Sequence, residues 1–151
     1  MSSLTPTSAR STTDAELAAR LRLTVNRLAR RLRQQADTDI SPSQLSAMAT
    51  LARRGPLTVG DLSSAERVKP PTMTRVVASL EDLGLVTRTV DPDDRRVAYV
   101  ATTPSGDKLI ARSRSRKDAY LAARVHSLSP DDRAALDHAA TVLEGMLEDD
   151  G

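Results

Sequence analysis

Cysteine, tryptophan and phenylalanine are all missing from this 151-residue chain, and tyrosine occurs only twice, at Tyr99 and Tyr120. Without cysteine there is no disulfide framework, no thiolate zinc site and no sensor that works by oxidising its own thiol. With two aromatic rings, stacking on unpaired bases is not an expected way to bind nucleic acid. A duplex, held through phosphates and base edges, needs no rings. No apolar run approaches the roughly 18 residues of a membrane span, and the opening MSSLTPTSARSTT lacks the apolar stretch of a secretion signal. A cytoplasmic protein with no membrane partner is expected. Walker loops, G-x-S-x-G and secluded paired carboxylates are also missing, so an enzyme is not expected. His126 and His138 lack a local cluster of metal-ligating side chains, so neither metal nor cofactor is expected.

What the chain does have is charge, unevenly placed. The net charge is +2, yet residues 1–129 hold 21 basic and 13 acidic side chains while residues 130–151 hold one basic and seven acidic ones. A basic body suits a polyanionic partner, because phosphate contacts from lysine and arginine release counterions. It is equally what a solvated arginine-rich surface looks like.

Residues 1–13 are rich in Ser and Thr and are expected to form a disordered arm. Leu17, Leu21, Val25, Leu28 and Leu32 then recur at helical spacing with arginines between them, predicting a long helix that ends near Asp37 to Ile40. Ser41-Pro42 supplies an N-cap and a first-turn proline for a second helix, with Leu45, Met48, Ala49 and Leu51 toward a core, until Gly55-Pro56 stops it. Thr58 caps a short third helix. After Arg67-Val68-Lys69 a fourth opens on Pro70-Pro71, with Met73, Val76, Val77, Leu80 and Leu83 on one side, Pro71, Thr74, Arg75 and Ala78 on the other, and Gly84 as its C-cap. Period-two alternation over Val86–Val90 and Val97–Thr102 predicts a β-hairpin around a charged loop, Asp91 to Arg96. Two further helices start at Thr103-Pro104 and Ser129-Pro130.

Two short helices joined by a tight turn, the second with a short-chain polar outer side, describe a helix-turn-helix. Thr72, Thr74 and Arg75 leave the leading end slim enough for the roughly 12 Å major groove, where Arg75 can fork onto guanine. An ordinary amphipathic surface helix has such a side too. The hairpin that follows makes the unit a winged helix, whose tip arginines can reach an adjacent minor groove once Asp94 orients one of them. A hydrated turn with local ion pairs is the competing reading.

The stretch DLSSAERVKPPTMTRVVASLEDLGLVTRTVDPDDRRVAYVATTPSG, residues 61–106, resembles the DNA-binding core of MarR-type transcriptional regulators. That signature is a recognition helix ending in LE..GLV and a wing of the form D-x-R-x5-L-T-x-x-G. Leu80-Glu81, Gly84-Leu85-Val86, Asp94, Arg96, Thr103 and Gly106 occupy the matching places. Thr102 stands where the signature has leucine, Glu66 where its helix usually ends in leucine, and Arg67 where the turn is often glycine.

The resemblance implies a mainly α fold with a small β-hairpin wing, a winged helix-turn-helix core flanked by N- and C-terminal dimerisation helices. The implied division is an arm over 1–13, a dimerisation helix over 14–40, the DNA-binding domain over 41–106 and dimerisation helices over 107–151. It implies DNA contacts from Thr72, Thr74 and Arg75, with Lys69 and Pro71 at the helix entrance, and from Arg96, held by Asp94, with Arg95 beside it. The Ser41–Gln44 turn matches one that lies near the phosphate backbone. It also implies a homodimer on a pseudo-palindromic double-stranded operator, most often as a repressor. The apolar stripes of the terminal helices exceed what one small core needs, which fits a dimer; a monomeric helical cap is the alternative. A small aromatic or anionic effector is implied in a crevice that Arg20, Arg27, Arg31 and Tyr120 are candidates to line. The alternative function is a winged-helix protein-interaction module that reads no DNA.

Overall fold

A computed structural model describes residues 11–36 and 38–149. Most of the expected arm (residues 1–10) and Asp37 lie outside the described residues. Thr13, placed in the arm by sequence, instead caps the first helix. Its Oγ1 accepts the Glu16 N–H at 3.2 Å while the Glu16 carboxylate accepts the Thr13 N–H at 3.0 Å, so two of the orphan donors of α1 (Asp14–Gln35) are satisfied. The same reciprocal chemistry between Ser41 and Gln44 opens α2 (Pro42–Arg54).

A two-residue strand, β1 (Leu57–Thr58), leads into α3 (Val59–Glu66), whose first turn is capped by Thr58 Oγ1 on the Asp61 N–H. The turn to α4 (Pro70–Asp82) passes through Arg67 at φ +54°. That left-handed geometry is what glycine usually supplies, and here an arginine adopts it while its N–H donates to the last turn of α3. Strands β2 (Val86–Val90) and β3 (Ala98–Thr102) form the wing, and α5 (Pro104–His126) and α6 (Pro130–Glu148) complete the chain.

Three expectations need correction. The wing is not a two-stranded ribbon: β1 pairs antiparallel with β3, Leu57 opposite Val100, giving a three-stranded sheet in the order β1-β3-β2. Strand β3 begins at Ala98, because Val97 is held in the loop by its N–H on the Asp94 carbonyl. Leu83 is not in the core but 56 % exposed. It is itself the C-cap, and Gly84 follows at φ +71°. The Leu85 N–H then reaches the Leu80 carbonyl and the Gly84 N–H reaches Glu81, both at 3.0 Å, reversing the chain so that Leu85, not Leu83, packs inward.

One core gathers Met48 and Leu51 of α2, Leu62 of α3, Met73, Val77 and Leu80 of α4, Leu85, Val86 and Val100 of the wing, and Ile110 of α5. Every element between α2 and the start of α5 thus packs on a common centre. The outer helices do not share it: α1 and α6 contain no buried residue. Leu17, Leu23, Val25 and Leu28 of α1 and Leu136, Val142, Met146 and Leu147 of α6 are exposed.

Candidate nucleic-acid interface

The core fixes how α4 is turned. With Met73, Val77 and Leu80 buried, Pro71, Thr72, Thr74, Arg75 and Ala78 face outward and all are exposed, as is Lys69 at the helix entrance. Thr74 Oγ1 donates to the Pro70 carbonyl at 3.0 Å, which keeps its hydroxyl close to the helix. No ion pair is formed by Arg75 with any described residue.

Behind this face, four side-chain contacts lock the helix-turn-helix. Gln44 Nε2 donates to Ser79 Oγ at 2.7 Å, so the residue that caps α2 also holds the back of α4. Ser46 and Thr50 donate to the two oxygens of the Glu66 carboxylate at 2.8 and 2.7 Å, tying α2 to the end of α3. Glu81 and Arg88 approach to 3.5 Å, bracing the end of α4 against the wing. Sequence reasoning missed these positioning residues. The Ser41-x-x-Gln44 spacing gave away the cap, but nothing local points from Gln44 to a serine 35 residues on. The reciprocal cap engages both the side chains and the backbone N–H groups of Ser41 and Gln44.

At the wing tip the aspartates divide the work. Asp91 Oδ1 accepts the N–H groups of Asp93 and Asp94 at 2.8 and 3.4 Å, its own N–H donates to the Val97 carbonyl at 2.8 Å, and the Tyr99 hydroxyl lies 3.5 Å from its other oxygen. With the loop folded this way, Asp94 takes Arg96 in a fork: Nε at 3.1 Å on Oδ1, Nη2 at 3.3 Å on Oδ2, and the Arg96 N–H at 3.1 Å on Oδ1. The guanidinium is oriented yet its side chain stays 91 % exposed, presenting its remaining donors to solvent. Arg95 is exposed beside Pro92.

The Arg96 guanidinium, and then its backbone N–H, hold the Asp94 carboxyl below its ordinary value of 3.8. Since the folded value lies under the unfolded one, the contact contributes fully above about pH 3.8 and is lost as pH falls through the lowered value. Carboxyl-detected NMR is expected to place the Asp94 midpoint below 3.8 and to return it toward 3.8 in Arg96→Ala. An unmoved midpoint would mean that the fork does not persist in solution.

A crevice of about 520 Å³ runs between α2 and α4, with Leu45, Met73 and Val76 as apolar lining and Arg33, Glu66 and Lys117 as its charged groups. The candidates named from sequence lie elsewhere. Arg27 and Arg31 line a shallow cavity along the outside of α1, and Arg20 and Tyr120 line neither space. Helical periodicity could not tell which face of α1 meets α5. Tyr120 instead carries the Arg124 guanidinium 3.4 Å above its ring. Among the described residues no helix is long and apolar enough to cross a membrane, and no three His, Asp or Glu gather as a metal would require.

A helix-turn-helix on a three-stranded winged sheet, with an exposed arginine on the second helix and a clamped one at the wing tip, defines a winged-helix DNA-binding protein. Residues 40–98 match the model of the MarR family. A helix-turn-helix-type transcriptional regulator of Mycobacterium leprae is 42 % identical over 137 residues, covering 90 % of this chain and 96 % of that one. The helix-turn-helix-type transcriptional repressor MdtR of Bacillus subtilis is 28 % identical over 111 residues, 74 % of this chain and 72 % of the repressor. Among solved structures, a transcriptional regulator from Pseudomonas aeruginosa superposes with a TM-score of 0.80 at 30 % identity, covering 91 % and 99 % of the two chains. The chain belongs to the MarR family of helix-turn-helix transcriptional regulators.

Proposed function

We propose that the protein is a homodimeric repressor that reads a pseudo-palindromic double-stranded operator in the cytoplasm and leaves it when a small molecule binds. The observation that carries this reading is the pairing, on one core, of an exposed Arg75 that makes no ion pair among the described residues with an Arg96 held in a fork yet open to solvent. Thr72, Thr74 and Arg75, with Lys69 and Pro71 at the entrance, address the major groove and its phosphates. Arg96, positioned by Asp94 and accompanied by Arg95, addresses the neighbouring minor groove.

Residues 41–106 form the reading unit and residues 14–40 and 107–151 the dimerising one. The exposed apolar side chains of α1 and α6 support that division, since a helix with no buried residue gains little from folding alone. Two reading units in a two-fold dimer meet half-sites about 10 base pairs apart. Bound there, the dimer blocks a promoter, and the likeness to MdtR supports repression over activation. For release, the crevice beside Met73 and Val76 lies against the back of α4, and Arg33 with Lys117 suits an anionic or aromatic acid. A ligand that fits the crevice in only one setting of the two helices shifts the population toward that setting.

The test is selection of genomic fragments by the purified protein, sedimentation of the free protein and of the complex, and a screen for compounds that free the fragment. A dimer that protects a two-fold site is the expected result. Silence on every duplex at low salt would overturn DNA reading and favour a protein-interaction module.

A further inference from the structure

The arginine row of α1 is left without a role by the site just described. Arg20, Arg27 and Arg31 follow the spacing i, i+7, i+11, which sets them in one line along the helix, beside the exposed Leu17 and Leu28. Helix α6 repeats the pattern with the opposite sign. Asp137, Glu144 and Glu148 have the same i, i+7, i+11 spacing and border the exposed Leu136 and Leu147. All six charged side chains are exposed, and no ion pair engages any of them among the described residues. Each row therefore lies along one edge of an uncovered apolar stripe, at matched intervals over about 16 Å of helix.

We propose that these rows are complementary across the dimer: the arginines of α1 in one copy face the carboxylates of α6 in the second copy, and the charge match decides which chains pair. This rests on the homodimer reading above and adds the contact that gives it selectivity. The occupant of the α1 face is a second copy of this chain because its acidic counterpart is carried by the same sequence, which otherwise has a basic body and an acidic last 22 residues. Apolar stripes alone would accept any regulator with a similar surface. A row of like charges against a row of like charges is costly, so flanking charges reject foreign partners more than they tighten the correct one.

Charge reversal separates the possibilities. The triple variant R20E/R27E/R31E has acidic rows on both helices; D137K/E144K/E148K has basic rows on both. By sedimentation at micromolar concentration and low salt, the wild type is expected to dimerise. Each variant alone is expected to weaken its dimer by about a hundredfold. Mixed in equal amounts, the two are expected to form a heterodimer seen by native mass spectrometry, and all six changes in one chain are expected to restore the homodimer. Circular dichroism checks that each variant is helical.

A monomeric wild type would overturn the dimer reading itself. A dimeric wild type whose two variants dimerise equally well would leave that reading standing and sink the charge match. Variants that stay monomeric when mixed would also sink it, because the changes would then damage the helices and not their pairing. Unchanged dimerisation with weakened DNA binding in R20E/R27E/R31E would assign the arginines to phosphates and overturn it too.

Discussion

Replacing Arg75 by alanine is expected to lower affinity for the selected operator by about 1–3 kcal/mol per half-site, which in a dimer occupying two half-sites is at least about thirtyfold. The loss follows from placement. Buried Met73 and Val77 fix the rotation of α4, so Arg75 projects from the outer face, where no described residue forms an ion pair with it. A guanidinium forked on guanine makes two parallel hydrogen bonds that alanine cannot replace, and the variant should also discriminate less at that base pair. Arg96→Ala is expected to cost a similar amount with a different signature: base preference in the major groove is kept, while sensitivity to A·T content beside it and the salt dependence both fall. Asp94→Asn is the informative companion. It keeps the shape of the carboxylate and an acceptor for the Arg96 N–H but removes the charge that holds the guanidinium, so its effect should be smaller than that of losing the arginine. Gel-shift titrations over a salt series measure all three, and wild-type affinity in Arg75→Ala would remove the major-groove assignment.

The largest effect on stability is expected at Gly106. A β-carbon built on this residue would overlap the Leu85 carbonyl oxygen and lie 3.1 Å from Met48 Cε. The sulfur end of a methionine can yield, but the carbonyl cannot: it accepts the Thr103 N–H at 3.1 Å and belongs to the chain reversal that follows α4. Gly106→Ala must therefore push the first turn of α5 away from the wing, opening the hydrogen bonds from Thr103 to Gly84 and from Gly106 to Thr103. A loss of about 3 kcal/mol is expected, corresponding to a fall in Tm of about 10 °C for a chain of this size. Gly145→Ala is the control. It meets nothing within 4 Å in the last turn of α6, and should raise stability by up to about 1 kcal/mol through helix propensity alone. Equal melting temperatures for the two variants would show that the start of α5 is not tightly seated.

The contrast between what the sequence disclosed and what it did not is one of range. Ser41, Thr58, Thr103 and Ser129 were each legible as helix starts, and each accepts an N–H three residues on. Capping is local chemistry, complete within four residues. The spacing of Met73, Val77 and Leu80 likewise identified which side of α4 is buried and so which side chains are exposed. Strand β1 escaped because two residues carry no periodicity, and only the partner β3, some forty residues on, makes Leu57 and Thr58 a strand. Leu83 was misplaced because the 100° wheel was continued one residue past Asp82, where the helix ends. At the site, the Asp94–Arg96 pair could be anticipated from two residues' separation. The Gln44–Ser79 and Glu66–Ser46 contacts join segments that meet only after folding. Arg67 shows the reverse case, a turn geometry present without the residue that normally announces it.

One joint described above sets how motion passes through this molecule. The first turn of α5 is fastened to Gly84 and Leu85, immediately behind α4, by the Thr103 hydroxyl and amide and by the close seat of Gly106. The 23-residue α5 is thus a lever arm whose short end is welded to the reading head. At roughly 34 Å of length, a tilt of only about 5° displaces its far end by about 3 Å. Run backwards, the same ratio means that, in the dimer proposed above, a small sideways slip where two copies meet is geared down into a few degrees of swing at the reading head.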